Sequence, residues 1–90
     1  MTIDSTQPVP EHGENQMVYR MIELWRRALR IDDVAIDDDF FDLGGNSISA
    51  IRLIPLLREE FGVEPGILVL FDHPTPRLLS AALASQGARP

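Results

Sequence analysis

Apolar residues recur at three-and-four spacing near the start of the chain: Met17, Val18, Met21, Ile22, Leu24, Trp25, Ala28 and Leu29. That spacing gathers them on one face and predicts an amphipathic helix over residues 14–30. Arg20, Glu23, Arg26, Arg27 and Arg30 fill the other face. Glu14 suits the positive N-terminal end of the helix dipole, and the later arginines suit its negative end. Trp25 lies inside the apolar stripe and reads as a core anchor. A second helix is predicted from Ser47 or Ile48 to Phe61, with Gly62 as its stop signal. Its stripe is Ile48, Ile51, Ile54, Leu57 and Phe61, widened by Leu53 and Leu56. Pro55 falls inside it, lacks an N–H and crowds the carbonyl of Ile51. Because the stripe continues in phase, a bend is expected there and not a break. Gly66 to Phe71 is a short apolar run with no second strand to pair with, so a brief helix is preferred. Thr75 and Pro76 supply an N-cap and a first-turn proline for a last helix over 76–85, with Leu78, Leu79, Ala82 and Leu83 inward. The pattern predicts an all-α fold, a small four-helix bundle with a long first loop and a short third helix.

Composition narrows this picture. Ninety residues allow one domain, expected at 14–85 between a disordered leader (1–13) and a disordered tail (86–90). A net charge of -6 leaves no basic stripe for nucleic acid. All eight basic residues are arginines, for which no physical reason is evident. The longest apolar run is too short to span a bilayer, and no signal pattern opens the chain. A cytoplasmic monomer without a membrane partner is therefore expected. The absence of cysteine excludes disulfides and thiolate zinc sites, and His12 and His73 lack ligand spacing, so no metal is expected.

Candidate chemistry concentrates after the first helix. The connection from Ile31 to Asn46 is crowded by Asp32, Asp33, Asp37, Asp38, Asp39 and Asp42, with Ile31, Val34, Ile36, Phe40, Phe41 and Leu43 available to pin it to a core. A loop this long in a small domain is usually functional. It ends in Gly44-Gly45-Asn46-Ser47, directly before the second helix. Three readings of Ser47 compete. A hydrolase nucleophile would need a strand, a second glycine after the serine and a positioned histidine and carboxylate, and the strand and glycine are missing. A helix N-cap is favoured for serine, although Ala50 leaves the capping box incomplete. A modification site is the third reading. Gly44 and Gly45 leave the backbone open to close approach, and the helix N-terminus favours a phosphate on the Ser47 hydroxyl.

The segment Asp39-Phe40-Phe41-Asp42-Leu43-Gly44-Gly45-Asn46-Ser47-Ile48 resembles the core motif of the peptidyl carrier (thiolation) domains of nonribosomal peptide synthetases. The resemblance extends from Met21 through Trp25 and Phe61-Gly62-Val63 to Phe71-Asp72-His73-Pro74-Thr75. It implies a bundle of the acyl-carrier type with no catalytic residues. It also implies that Ser47 receives 4'-phosphopantetheine from coenzyme A through a phosphopantetheinyl transferase. The arm would supply the thiol that the chain lacks. Further implied partners are an adenylation enzyme and condensation or tailoring enzymes, in nonribosomal peptide or hybrid peptide-polyketide biosynthesis. Leu43, Gly44, Gly45, Asn46, Ile48, Ile51, Arg52, Leu68 and Phe71 are the expected partner contacts. Asn46 stands where such carriers more often have aspartate or histidine. Leu68 and Val69 read equally as core or as an apolar docking patch. With tails at both ends, a free-standing (type II) carrier is expected. An acyl carrier for polyketide or fatty acyl groups is the alternative.

Overall fold

The amphipathic pattern of the first segment closes into helix α1, His12–Leu29, in a computed structural model that describes residues 12–88, with side chains from Gln16 onward. The helix begins two residues before the pattern predicted. Residues 1–11 of the expected leader lie outside the described residues. The other helices are α2 (Ser47–Phe61), α3 (Ile67–Asp72) and α4 (Pro76–Ser85). Helix α1 packs against α2 and α4, and α3 bridges α2 and α4. The core is built from Met17, Met21, Leu24, Trp25 and Ala28 of α1, Ala50, Leu53, Leu57 and Phe61 of α2, Leu70, Leu79 and Leu83, with Phe40 reaching in from the long loop. Trp25 is fully buried and meets the Phe40 ring edge-on at 5.1 Å between centroids. Such a pair adds about 1 kcal/mol beyond the area it buries.

Three local expectations are corrected. In the predicted stripe of α2, Ile48 and Ile51 are 66% and 62% exposed, in keeping with their place among the expected partner contacts, while Ala50, outside that stripe, is fully buried. The buried residues are Ser49, Ala50, Leu53, Leu57 and Phe61, of which Leu53, Leu57 and Phe61 belong to the predicted stripe. In α4, Leu79 and Leu83 turn inward as expected, but Leu78 is exposed and Pro76 and Ser80 take inward places. The segment 86–88, expected to be frayed, is a Schellman closure of α4. Gly87 adopts a φ of 93° and its N–H donates to Ala84, while the Ala88 N–H donates to Leu83. That geometry satisfies the last carbonyls of the helix. The remaining two residues lie outside the described residues.

Helix α2 runs unbroken through Pro55 to Phe61, where Gly62 takes the left-handed conformation (φ 80°) and returns its N–H to Arg58. A proline in a helix interior costs roughly 3 kcal/mol against alanine, so the packing of the inward face carries the helix across it. Arg20 holds α1 to the far end of α2. Its Nε donates to the Glu60 carboxylate at 2.6 Å, its Nη2 donates to the Glu60 carbonyl at 3.1 Å, and its guanidinium lies 5.0 Å from the Phe61 ring centroid.

The long loop is strapped across the start of α4. Phe40 N–H donates to Pro74 at 2.7 Å, Arg77 N–H donates to Ile36 at 3.1 Å, and the Arg77 side chain forms a two-point pair with the Asp37 carboxylate at 2.9 and 3.1 Å. The hydrogen bond from Arg77 holds the Asp37 carboxyl below its ordinary range. A depressed carboxylate pKa stabilises the fold above the ordinary range and loses that effect as pH falls through the lowered value. Asp37→Asn is therefore expected to lower the thermal midpoint slightly at neutral pH. The gap from wild type should close as the pH is brought below about 4, as followed by thermal melts across the acid range.

Candidate functional site

The Gly-Gly turn and Asn46 set the entrance to α2. Gly44 has a φ of 97°, which residues with a Cβ rarely adopt. Gly45 serves a different purpose: its N–H donates to the Phe40 carbonyl at 2.9 Å, and an added Cβ would fall on the Phe40 ring and 2.6 Å from that carbonyl oxygen. Asn46, in extended conformation, is the N-cap. Its Oδ1 accepts the Ser49 N–H at 3.0 Å and the Ser49 hydroxyl at 3.3 Å. The cap reading of Ser47 is thus displaced by its neighbour. Sequence reasoning weighed only the serine, although asparagine caps as well as serine does.

Ser47 is the first helical residue, exposed, and takes no part in the hydrogen bonds that close this helix end. The Ser47 and Ile48 amides have no acceptor within the helix, as for any first turn. The dipole therefore presents a positive end beside a free hydroxyl. No acidic residue stands in the first turn to oppose an anion. The triad reading finds no support in His73, whose Nδ1 donates to the Val69 carbonyl at 2.9 Å and closes α3. A catalytic histidine needs that nitrogen for its orienting carboxylate.

Around Ser47 the expected contact residues divide. Gly44, Asn46, Ile48, Ile51 and Arg52 are exposed, Gly45 is half-buried, and Leu43 is half-buried against the core. Leu68 is 67% exposed on α3, while its neighbour Val69 packs on the core, so the pair splits between the two readings offered for it. Phe71 is 39% exposed and lies against Phe41 of the loop, 5.4 Å between ring centroids. The Phe41 ring in turn meets Phe40 edge-on. A chain of aromatics thus links the exposed face to Trp25 in the core. Phe41 was expected only to pin the loop; its place beside Phe71, thirty residues on, left no signal in the sequence.

Fold and site together define a small four-helix domain with an exposed serine at the head of its second helix. Comparison with known proteins agrees. The family model described as "Phosphopantetheine attachment site" matches residues 20–83. The dimodular nonribosomal peptide synthase of Bacillus subtilis (strain 168) is 45% identical over 71 residues, covering 78% of this chain and 3% of that protein. Tyrocidine synthase 3 of Brevibacillus parabrevis is 37% identical over 71 residues, covering 79% of this chain and 1% of that protein. BlmI, a type-II acyl-carrier protein of Streptomyces verticillus involved in bleomycin biosynthesis, superposes with a TM-score of 0.77 at 27% identity, over 81% of this chain and 88% of that one. The chain belongs to the phosphopantetheine-attachment family, whose covalent group is phosphopantetheine. It spans only 1 to 3% of the length of these curated synthetases. The α2 entrance fits that group, because a phosphate on an oxygen at this place would meet the helix dipole and unclaimed amides.

Proposed function

We propose that the chain is a peptidyl carrier. Ser47 is the attachment point, and an aminoacyl or peptidyl group is held as a thioester on the arm and presented to successive enzymes. The observation that carries this reading is an exposed, uncapping serine hydroxyl at the positive end of α2, in a chain of the phosphopantetheine-attachment family. In the loading step the Ser47 Oγ–phosphorus bond forms and the pyrophosphate bond of coenzyme A breaks. Adenosine 3',5'-bisphosphate leaves, and the hydroxyl proton passes to a base of the transferase. The chain itself performs no catalysis in this reading; the arm brings the thiol. Tethering replaces each bimolecular encounter with a positioned one at high effective concentration. The transferase and an adenylation enzyme are the proposed first partners, with condensation or tailoring enzymes after them.

Incubation with coenzyme A and a promiscuous phosphopantetheinyl transferase, followed by intact mass and peptide mapping, tests the reading. One phosphopantetheine is expected, on the peptide that holds Ser47. A folded chain that gains no mass would sink it. Charging of the loaded arm by adenylation enzymes with amino acids separates a peptidyl from an acyl carrier; loading from acyl-coenzyme A donors alone would reverse that choice.

Leu68 tests the docking surface. A surface substitution away from packing changes stability by at most about 0.5 kcal/mol, so Leu68→Asp should leave the thermal midpoint nearly unchanged. Aminoacylation by the adenylation enzyme that charges the arm should fall roughly tenfold in kcat/KM, equivalent to about 1.4 kcal/mol. A large stability loss with unaltered kinetics would make Leu68 a packing residue.

A further inference from the structure

Pro55 breaks the rules of its own helix without any gain inside the fold. It is exposed, so neither its ring nor its rigidity fills the core. Any helix-forming residue would fit the space and restore the missing N–H. Violations of local structural preference in an otherwise consistent fold tend to mark functional positions. The position of Pro55 suggests which function. Ile48, Ile51 and Pro55 follow the three-and-four spacing on the solvent side of α2. The proline ring therefore lengthens the exposed isoleucine ridge by one turn. Its missing N–H also deprives the Ile51 carbonyl of its donor four residues on, on that same side. A backbone acceptor is thus released beside an apolar ridge.

We propose that Pro55 is a partner-specificity residue. Its ring extends the Ile48–Ile51 ridge, and the Ile51 carbonyl it frees accepts a hydrogen bond from the phosphopantetheinyl transferase that modifies Ser47. The inference rests on the carrier reading. The transferase is the occupant because it alone must act on the Ser47 hydroxyl itself, at the head of this helix. Eight residues of helix span about 12 Å, so Pro55 lies well within a protein interface of ordinary size centred near Ser47. The matching surface has an apolar hollow with an N–H donor at its edge, from an amide, asparagine or arginine. Arg58 is turned to Glu64 and Arg20 to Glu60, which leaves Arg52, exposed beside Ile51, as the carrier's own charged group next to this acceptor.

The test uses the whole chain, coenzyme A and a purified promiscuous phosphopantetheinyl transferase. Pro55→Ala removes the ring and restores the N–H, and Pro55→Leu restores the N–H while keeping an apolar side chain. Both variants should melt at a higher temperature than wild type. Pro55→Ala should nevertheless be modified with a kcat/KM lower by roughly fivefold, and Pro55→Leu, which keeps the ridge, by roughly half that factor, borne mainly by KM in each. A rise in stability with a fall in rate has the opposite sign to structural damage. Unchanged kcat/KM in Pro55→Ala overturns the inference while leaving the carrier reading intact. Full recovery in Pro55→Leu overturns the role of the Ile51 carbonyl. A wild-type chain that is not modified at all defeats the carrier reading and this inference together.

Discussion

Ser47→Ala is expected to abolish phosphopantetheinylation while moving the thermal midpoint by no more than about 4 °C. Its hydroxyl holds no cap, and an exposed position of this kind changes stability by about 0.5 kcal/mol or less. Asn46→Ala should behave in the opposite way. It removes the side chain that accepts the Ser49 N–H, at a cost of about 1 kcal/mol. In a domain of this size that lowers the midpoint by roughly 4–8 °C. The variant should still gain one phosphopantetheine, because Ser47 remains on the first turn. The other serine of this turn cannot take over: Ser49 is 6% exposed and its hydroxyl is bound to Asn46. Intact mass and a thermal melt on the two variants separate the roles. If Ser47→Ala loses as much stability as Asn46→Ala, the serine contributes to the cap after all. If Ser47→Ala still gains mass, the arm is attached elsewhere.

The exchange of roles between Asn46 and Ser47 shows where sequence reasoning reached its limit. The ends of α2 and α4 were legible because single residues enforce them: Gly62 in the left-handed conformation, and Thr75 Oγ1 accepting the Leu78 N–H with Pro76 behind it. The same kind of signal was present at Gly87 and went unread. The facing of α2 was legible only in part: Ile48 and Ile51 were expected as partner contacts, but the burial of Ala50 and Ser49 was not expected. That helix is apolar around much of its circumference, and periodicity detects an apolar arc without saying which arc is covered. Ala50 and Ser49 are buried although neither is a strong hydrophobe. Ile48 and Ile51 are exposed although both are. The attachment motif could be read because its residue types are unusual together. The Asp37–Arg77 strap and the Phe41–Phe71 contact could not, because each joins residues that only the fold makes neighbours.

Gly45→Ala is expected to be the most damaging single-carbon change in the motif. The new Cβ falls on Phe40, and Phe40 has nowhere to go. Its ring is fully buried against Trp25, its N–H is held by Pro74, and its carbonyl accepts the Gly45 N–H. Overpacking of an unyielding site costs about 3 kcal/mol, which should lower the midpoint by more than about 12 °C. The stretch of backbone that Gly45 moves is the one that delivers Ser47 to the head of α2, so the rate of phosphopantetheinylation should fall with it. Gly44→Ala is the control. Its Cβ would meet nothing within 4 Å, so only the positive φ of 97° opposes it, at about 1–2 kcal/mol. A double-mutant cycle identifies the cause. If the clash with the Phe40 ring is what matters, Phe40→Leu should remove part of the penalty of Gly45→Ala, giving a coupling of about 1–3 kcal/mol between the two positions. Strict additivity would mean that the penalty comes from the backbone contact at the Phe40 carbonyl, and that the aromatic ring does not set the position of the attachment serine.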